Sequence, residues 1–194
     1  MKKIVKKLKT NAGFTLAETL MTVLILLMVA GVVAEGLPSA VTAYSKAVDA
    51  ANAQVLLSTT VNALRGELST ARDVHFTGSD VIYISSATGS KTKIYKGKTD
   101  DNRDTIMIQD FLKYDESGPQ DADNNKPRSL VSKGAVTNNL QIVYGNVKWH
   151  DSGKTILNFH NITVIKENSI LASIDDLYIR CLNLEDDTSA ESGD

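Results

Sequence analysis

Hydrophobic and polar positions divide this chain into three stretches with different periods. From Phe14 to Ala34 there are 21 residues in which Glu18 is the only charged group, and the rear half is almost entirely Leu, Ile, Val, Met and Ala. About 20 such residues in a helix cover the ~30 Å hydrocarbon core of a bilayer, so the run predicts a membrane-spanning helix. The apolar pattern then becomes helical in period. Val41, Tyr44, Val48, Ala51 and Val55 recur at spacings of three and four, and after a register shift Leu57, Val61, Leu64, Leu68 and Ala71 resume it. This predicts an amphipathic continuation of the helix over 35–73, with Pro38 kinking it or starting a fresh turn. A single helix from Phe14 to Arg72 would be about 88 Å long.

From Val74 onward the period changes to two. Candidate strands are Val81–Ser85, Thr92–Lys96, Thr105–Tyr114, Leu130–Val136, Leu140–Trp149, Thr155–Ile165 and Ile170–Leu184, separated by Gly, Asn, Asp and Ser clusters. Ser152-Gly153 and Glu167-Asn168 read as hairpin turns. Short, closely spaced strands after one long helix predict an α+β fold: a long N-terminal helix packed on a mainly antiparallel sheet head over 74–184. Asp115 to Arg128, with its two prolines, reads as an exposed loop, and the acidic stretch 185–194 as a disordered tail.

The N-terminal charges give the expected orientation. Lys2, Lys3, Lys6, Lys7 and Lys9 precede the apolar run with no acid among them, which keeps that end cytoplasmic and sends the remainder across the membrane. A carboxylate inside such a run calls for a partner, so Glu18 is a functional candidate. A secretory signal peptide shares the basic and apolar regions, but its apolar core is shorter, carries no acid and ends at a small-residue cleavage site, to which Val33-Ala34-Glu35 is the nearest approach. An ordinary anchor helix needs no Glu at all.

The register Lys9-Thr10-Asn11-Ala12-Gly13-Phe14-Thr15-Leu16-Ala17-Glu18 resembles the class III signal of type IV prepilins and pseudopilins. The resemblance covers the first 35 to 40 residues. It implies that a prepilin peptidase removes the leader, residues 1–13, by cutting after Gly13, and that the new terminal Phe14 is N-methylated. Residues 14–34 would serve first as the membrane anchor and then as the core of a filament. Glu18, the fifth residue of the mature chain, would neutralise the terminal amine of a neighbouring subunit, because a buried carboxylate is tolerable when paired. The implied partners are the peptidase, other pilin or pseudopilin subunits, a membrane assembly platform and, before assembly, membrane lipid. The protein would stand in the cytoplasmic membrane with its head outside and then in an extracellular or periplasmic filament.

The run Ala63-Leu64-Arg65-Gly66-Glu67-Leu68-Ser69-Thr70-Ala71-Arg72 looks more loosely like the helix end of larger minor pilins and J-type minor pseudopilins. Two departures separate the chain from major pilins. Glu35 stands where many of them have a membrane-helix proline, with Pro38 three residues on, and a single cysteine, Cys181, excludes the disulfide-bounded C-terminal loop of many of them. Two alternatives stay open at this level: a major pilin, and a tethered binding domain or enzyme with a coincidental N-terminal motif.

Composition limits the chemistry. Loss of the leader would lower Lys+Arg from 21 to 16 against 23 Asp+Glu, a formal charge near −7, which argues against direct nucleic-acid binding. His75, His150 and His160 are far apart, and no paired Cys or His spacing supports a metal site. No Gly-x-Ser-x-Gly elbow is present. Neither a catalytic residue nor a cofactor is expected. His160 alternates with Ile156 and Ile162, which predicts a core histidine. The run Asp121-Ala122-Asp123-Asn124-Asn125-Lys126 imitates the opening of a calcium loop, yet Lys126 replaces its sixth-place Gly and Ser132 its twelfth-place Glu. Asn161-Ile162-Thr163 matches a glycosylation acceptor but lies in a strand-like run. Cys181, within Leu177–Leu182, reads as a buried structural thiol.

Overall fold

The computed structural model describes residues 15–111, 126–131 and 139–184. It divides into two compact units, Met1–Ala47 and Val48–Asp194. Its fold is α+β, with one long N-terminal helix followed by antiparallel strands. The helix, α1, runs over Leu16–Leu68 and continues through Pro38. Within the second unit α1 buries one stripe, formed by Ala53, Leu56, Leu57, Thr60, Val61, Leu64 and Leu68, spaced at threes and fours as one helical face requires. The Thr60 hydroxyl, buried on that stripe, donates to the Leu56 carbonyl and so enters the core satisfied.

Two sheets complete the second unit. The first is an antiparallel meander of β1 (Arg72–Thr77), β2 (Asp80–Ile84), β3 (Lys91–Lys98), β4 (Asp104–Phe111) and β5 (Arg128–Ser129). The second is built on β8 (Ile156–Lys166), which pairs with β9 (Ser169–Arg180) along one edge and with β6 (Gln141–Val143) and β7 (Val147–Trp149) along the other. The period-two reading is realised most cleanly in β2 and β3, where Val81, Tyr83, Thr92 and Ile94 are buried and their neighbours are not. One apolar core joins the α1 stripe to Ile106 and Ile108 of β4, Ile142 of β6 and Leu157 and Phe159 of β8. Tyr83 reaches through it to donate to the Glu67 carboxylate at 3.0 Å.

Several boundaries move from the sequence reading. The helix stops at Leu68, and Arg72–Thr77 is a strand. Ala71, expected to extend the helical stripe, is fully buried beyond the helix end, its amide bonded back to Leu68. The expected strand Leu140–Trp149 is broken at Tyr144-Gly145-Asn146. Ile170–Leu184 ends as a strand at Arg180, because the next amides turn away to Thr155 and Ser69. Pairing with β4 falls on Arg128–Ser129, before the expected start at Leu130. Residues 112–125, 132–138 and 185–194 lie outside the described residues, and with them the expected tail and most of the expected loop and calcium run.

The turns follow their residue chemistry. Glu167 and Asn168, with φ of 48° and 67°, form the two-residue connection between β8 and β9, as positive φ at both positions of such a hairpin demands. Between β7 and β8, Asp151 accepts from the amides of Thr155 and Ile156 and from the Thr155 hydroxyl. These donors hold its carboxyl down to about 2, the Thr155 hydroxyl contributing most.

Candidate functional site

The candidate site is the first half of α1. Thr15 caps the helix: its hydroxyl accepts from the Glu18 amide at 3.3 Å, and its carbonyl accepts from Glu18 and Thr19. Thr15-x-x-Glu18 is therefore a Thr/Glu pair at capping-box spacing, a signal in the sequence that a functional reading of Glu18 passes over. Glu18 lies in the first turn of α1 and is exposed, at the end where the helix dipole favours a negative charge. Gly13 and Phe14 lie outside the described residues.

From Leu16 to Ala47 all residues are exposed. Leu20, Met21, Leu24, Leu27 and Met28 each present more than half of their surface, and a shallow apolar groove runs along Leu16, Leu20, Val23, Leu24 and Leu27. Two hydroxyls in this apolar run are turned onto the backbone. The Thr19 hydroxyl donates to the Leu16 carbonyl and that of Thr22 to the Glu18 carbonyl, which removes two donors that hydrocarbon could not satisfy. The helix is long and apolar enough to cross a membrane, and its most apolar stretch is not buried.

The other sequence candidates lie apart from it. His160 is a correction: it is exposed, not in the core, and its Nδ1 lies 3.0 Å from the Asp176 carboxylate. The cause is Asn161, which sits at φ 53° and breaks the alternation, so that Phe159 and Ile162 both face inward and His160 and Asn161 face out. Opposite that break in alternation, the Gly145 amide donates to the His160 carbonyl at 2.8 Å, and a Cβ on Gly145 would come within 2.9 Å of that oxygen. The His160 contact, then the Asn158 amide, draw the Asp176 carboxyl below its usual range.

His75 contacts Asp73 on β1, and His150 packs edge-on against Tyr178. Cys181 is buried, and desolvation, followed by the nearby Asp151 charge, raises its thiol to about 11. Among the described residues no three His, Cys, Asp or Glu side chains converge on a common point. A second groove, lined by Leu57, Val61 and Arg65 of α1 and by Ala172, Ser173 and Ile174 of β9, lies within the second unit. No protein-family model, no curated protein and no solved structure matches the chain.

Proposed function

We propose that this chain is a pilin-like structural subunit, of the minor kind, which is processed at Gly13 and assembled into, or primes, a type IV pilus, a competence pseudopilus or a type II secretion pseudopilus. One observation carries the reading: the lone carboxylate of the apolar run Phe14–Ala34, Glu18, occurs three residues after a capping threonine and in fixed register with Gly13-Phe14 and the lysine-rich leader that ends at Gly13. A solitary anchor needs such a carboxylate for nothing beyond its helix start. A subunit whose helix leaves lipid to pack among other helices has a further use for it, since the group can settle register by pairing with a terminal amine.

In this reading the protein acts by polymerising and not by catalysis. Lipid covers Phe14–Ala34 before assembly, other subunits cover it afterwards, and the sheet unit faces outward. Prepilin peptidase and the membrane assembly platform are the transient partners, nucleic acid is not a direct one, and no cofactor takes part.

Intact mass and N-terminal sequencing of the membrane-extracted protein, with and without prepilin peptidase, test the reading. Peptidase-dependent loss of Met1–Gly13, leaving a methylated Phe14, is the expected result. An unchanged N-terminus, or cleavage after the apolar run, would overturn it.

A further inference from the structure

The exposed half of α1 carries a second pattern, finer than overall apolarity. Starting at Leu16 and stepping alternately by four and three, every position reached is Leu, Val, Ala or Tyr until Val55. The last six steps fall on Leu37, Val41, Tyr44, Val48, Ala51 and Val55, the a and d spacing of a coiled-coil seam. The flanking positions Pro38, Ala40, Ser45 and Ala47 are uncharged, while Glu35, Lys46 and Asp49 fall off the seam. Nothing along it repels an identical seam.

The seam is open as far as Tyr44. Leu37, Val41 and Tyr44 are 65 %, 61 % and 73 % exposed, while Val48, the next position on it, is half-buried. Lipid accounts for such exposure only as far as the bilayer reaches. Counting about 20 residues from Phe14 places Leu37 near the headgroups and Tyr44 roughly 15 Å past Ala34, where apolar surface meets water. A membrane also dictates geometry: two copies of one chain inserted in the same direction present the same seam at the same depth, so parallel and in-register pairing requires no search.

We propose that two copies of this chain, side by side in one membrane, pair through this seam as a parallel, in-register coiled coil that continues beyond the bilayer surface. Pairing covers Leu37, Val41 and Tyr44 while each copy awaits its final use. It rests on the membrane-spanning part of the reading above and not on processing at Gly13.

Cysteine cross-linking of the full chain in membrane vesicles tests it, with the parent, whose only thiol is the buried Cys181, as background. Leu37→Cys, Val41→Cys and Tyr44→Cys lie on the seam; Ser39→Cys, Thr42→Cys and Lys46→Cys lie on the opposite side of the helix at about 100° per residue. The expected result is at least fivefold more disulfide-linked homodimer from the first set than from the second, and more from Leu37→Cys alone than from Leu37→Cys mixed with Tyr44→Cys. Equal yields from the two faces, linkage to a different protein only, or preference for the mixed pair would each overturn the proposal and leave the processing reading intact. Extraction of the protein from vesicles by alkaline carbonate would overturn both.

Discussion

Two stretches of one helix use the same residue types to opposite ends. Leu20, Leu24 and Leu27 stand exposed on α1, while Leu56, Leu64 and Leu68, further along, have no accessible surface. Ala, Leu and Val dominate both stretches. What separates them is the pattern around those residues and the chain that follows. The first stretch is apolar on every side over 21 residues with a single charge, a distribution that needs an apolar solvent. The second alternates its Leu residues with Gln54, Ser58, Asn62 and Arg65, and so supplies one stripe for the strands to cover. Apolar content therefore tells how much surface must leave water, and periodicity tells whether the strands that follow can cover it.

The sharpest way to break this comparison is to truncate a leucine in each stretch. Leu64→Ala removes a fully buried side chain from the core, and the expected loss is about 2–5 kcal/mol in the unfolding free energy of the sheet unit. Leu24→Ala, at a position 53 % exposed, should leave that free energy within about 0.5 kcal/mol and weaken retention in lipid instead. Denaturant unfolding in detergent micelles, followed by the near-ultraviolet signal of Trp149, checks both. Comparable losses from the two variants would mean that the exposed stretch has a protein partner within the chain.

A carboxylate swap sharpens the first stretch. On the assembly reading proposed above, Glu18→Ala should insert as the parent does, since it removes a charge from the apolar run, and yet enter filaments at most a tenth as often; normal incorporation would leave Glu18 with nothing beyond the helix start. Capping must be separated from this. Thr15→Ala removes the hydroxyl that accepts from the Glu18 amide and should cost about 1 kcal/mol in the first helical turn. Faster amide exchange over the first helical turn would report it, with no matching loss of incorporation.

How much of this was legible in the sequence varies with the strength of the local signal. The helix, the change of period near Val74, the Glu167-Asn168 turn and the burial of Cys181 could all be read because each depends on neighbours in sequence. Strand β1 could not. Arg72–Thr77 follows directly on a helical stripe and owes its state to pairing with β2, with Phe76 against the Trp149 ring at 5.3 Å, some seventy residues away. His160 was misplaced because alternation was carried across Asn161 as if the strand were regular. An Asn tolerates left-handed backbone better than most residues do, and a Gly and an Asn within the opposing run, Gly145-Asn146, were the available hint. At the site, Glu18 stands out as the one charge of the apolar run, whereas the cap at Thr15 shows in the sequence only as the Thr15-x-x-Glu18 spacing. The split of the 35–73 pattern into an open seam and a buried stripe needed the structure, since both halves of the pattern are equally apolar.

The break in alternation at Asn161 gives a test confined to the second unit. Asn161→Val places a β-branched side chain at φ 53°, which costs about 1–3 kcal/mol unless the strand re-registers. Asn161→Gly relieves the strain and should leave stability within about 1 kcal/mol of the parent. A valine variant as stable as the parent would mean that alternation can be restored through this position and that His160 can turn inward.

The smallest expected effect is acid sensitivity, and its sign follows from two aspartates. Asp151 and Asp176 both titrate below their ordinary value in the folded chain, Asp151 at about 2. A depressed carboxyl adds stability that is complete above its unfolded value, near 3.8 for Asp151, and is lost as pH falls through the folded value. Both groups are at the surface, so water screens them and the total change is modest. Between pH 6 and pH 2 the sheet unit should lose stability gradually, and Asp151→Asn, which cannot titrate, should flatten that slope. The exposed stretch from Leu20 to Ala34 carries no titrating side chain, so its helix signal in micelles should stay constant over the same range. Parallel loss of helix and sheet signals would tie the two stretches into one cooperative unit and erase the distinction between exposed and core-facing leucines drawn above.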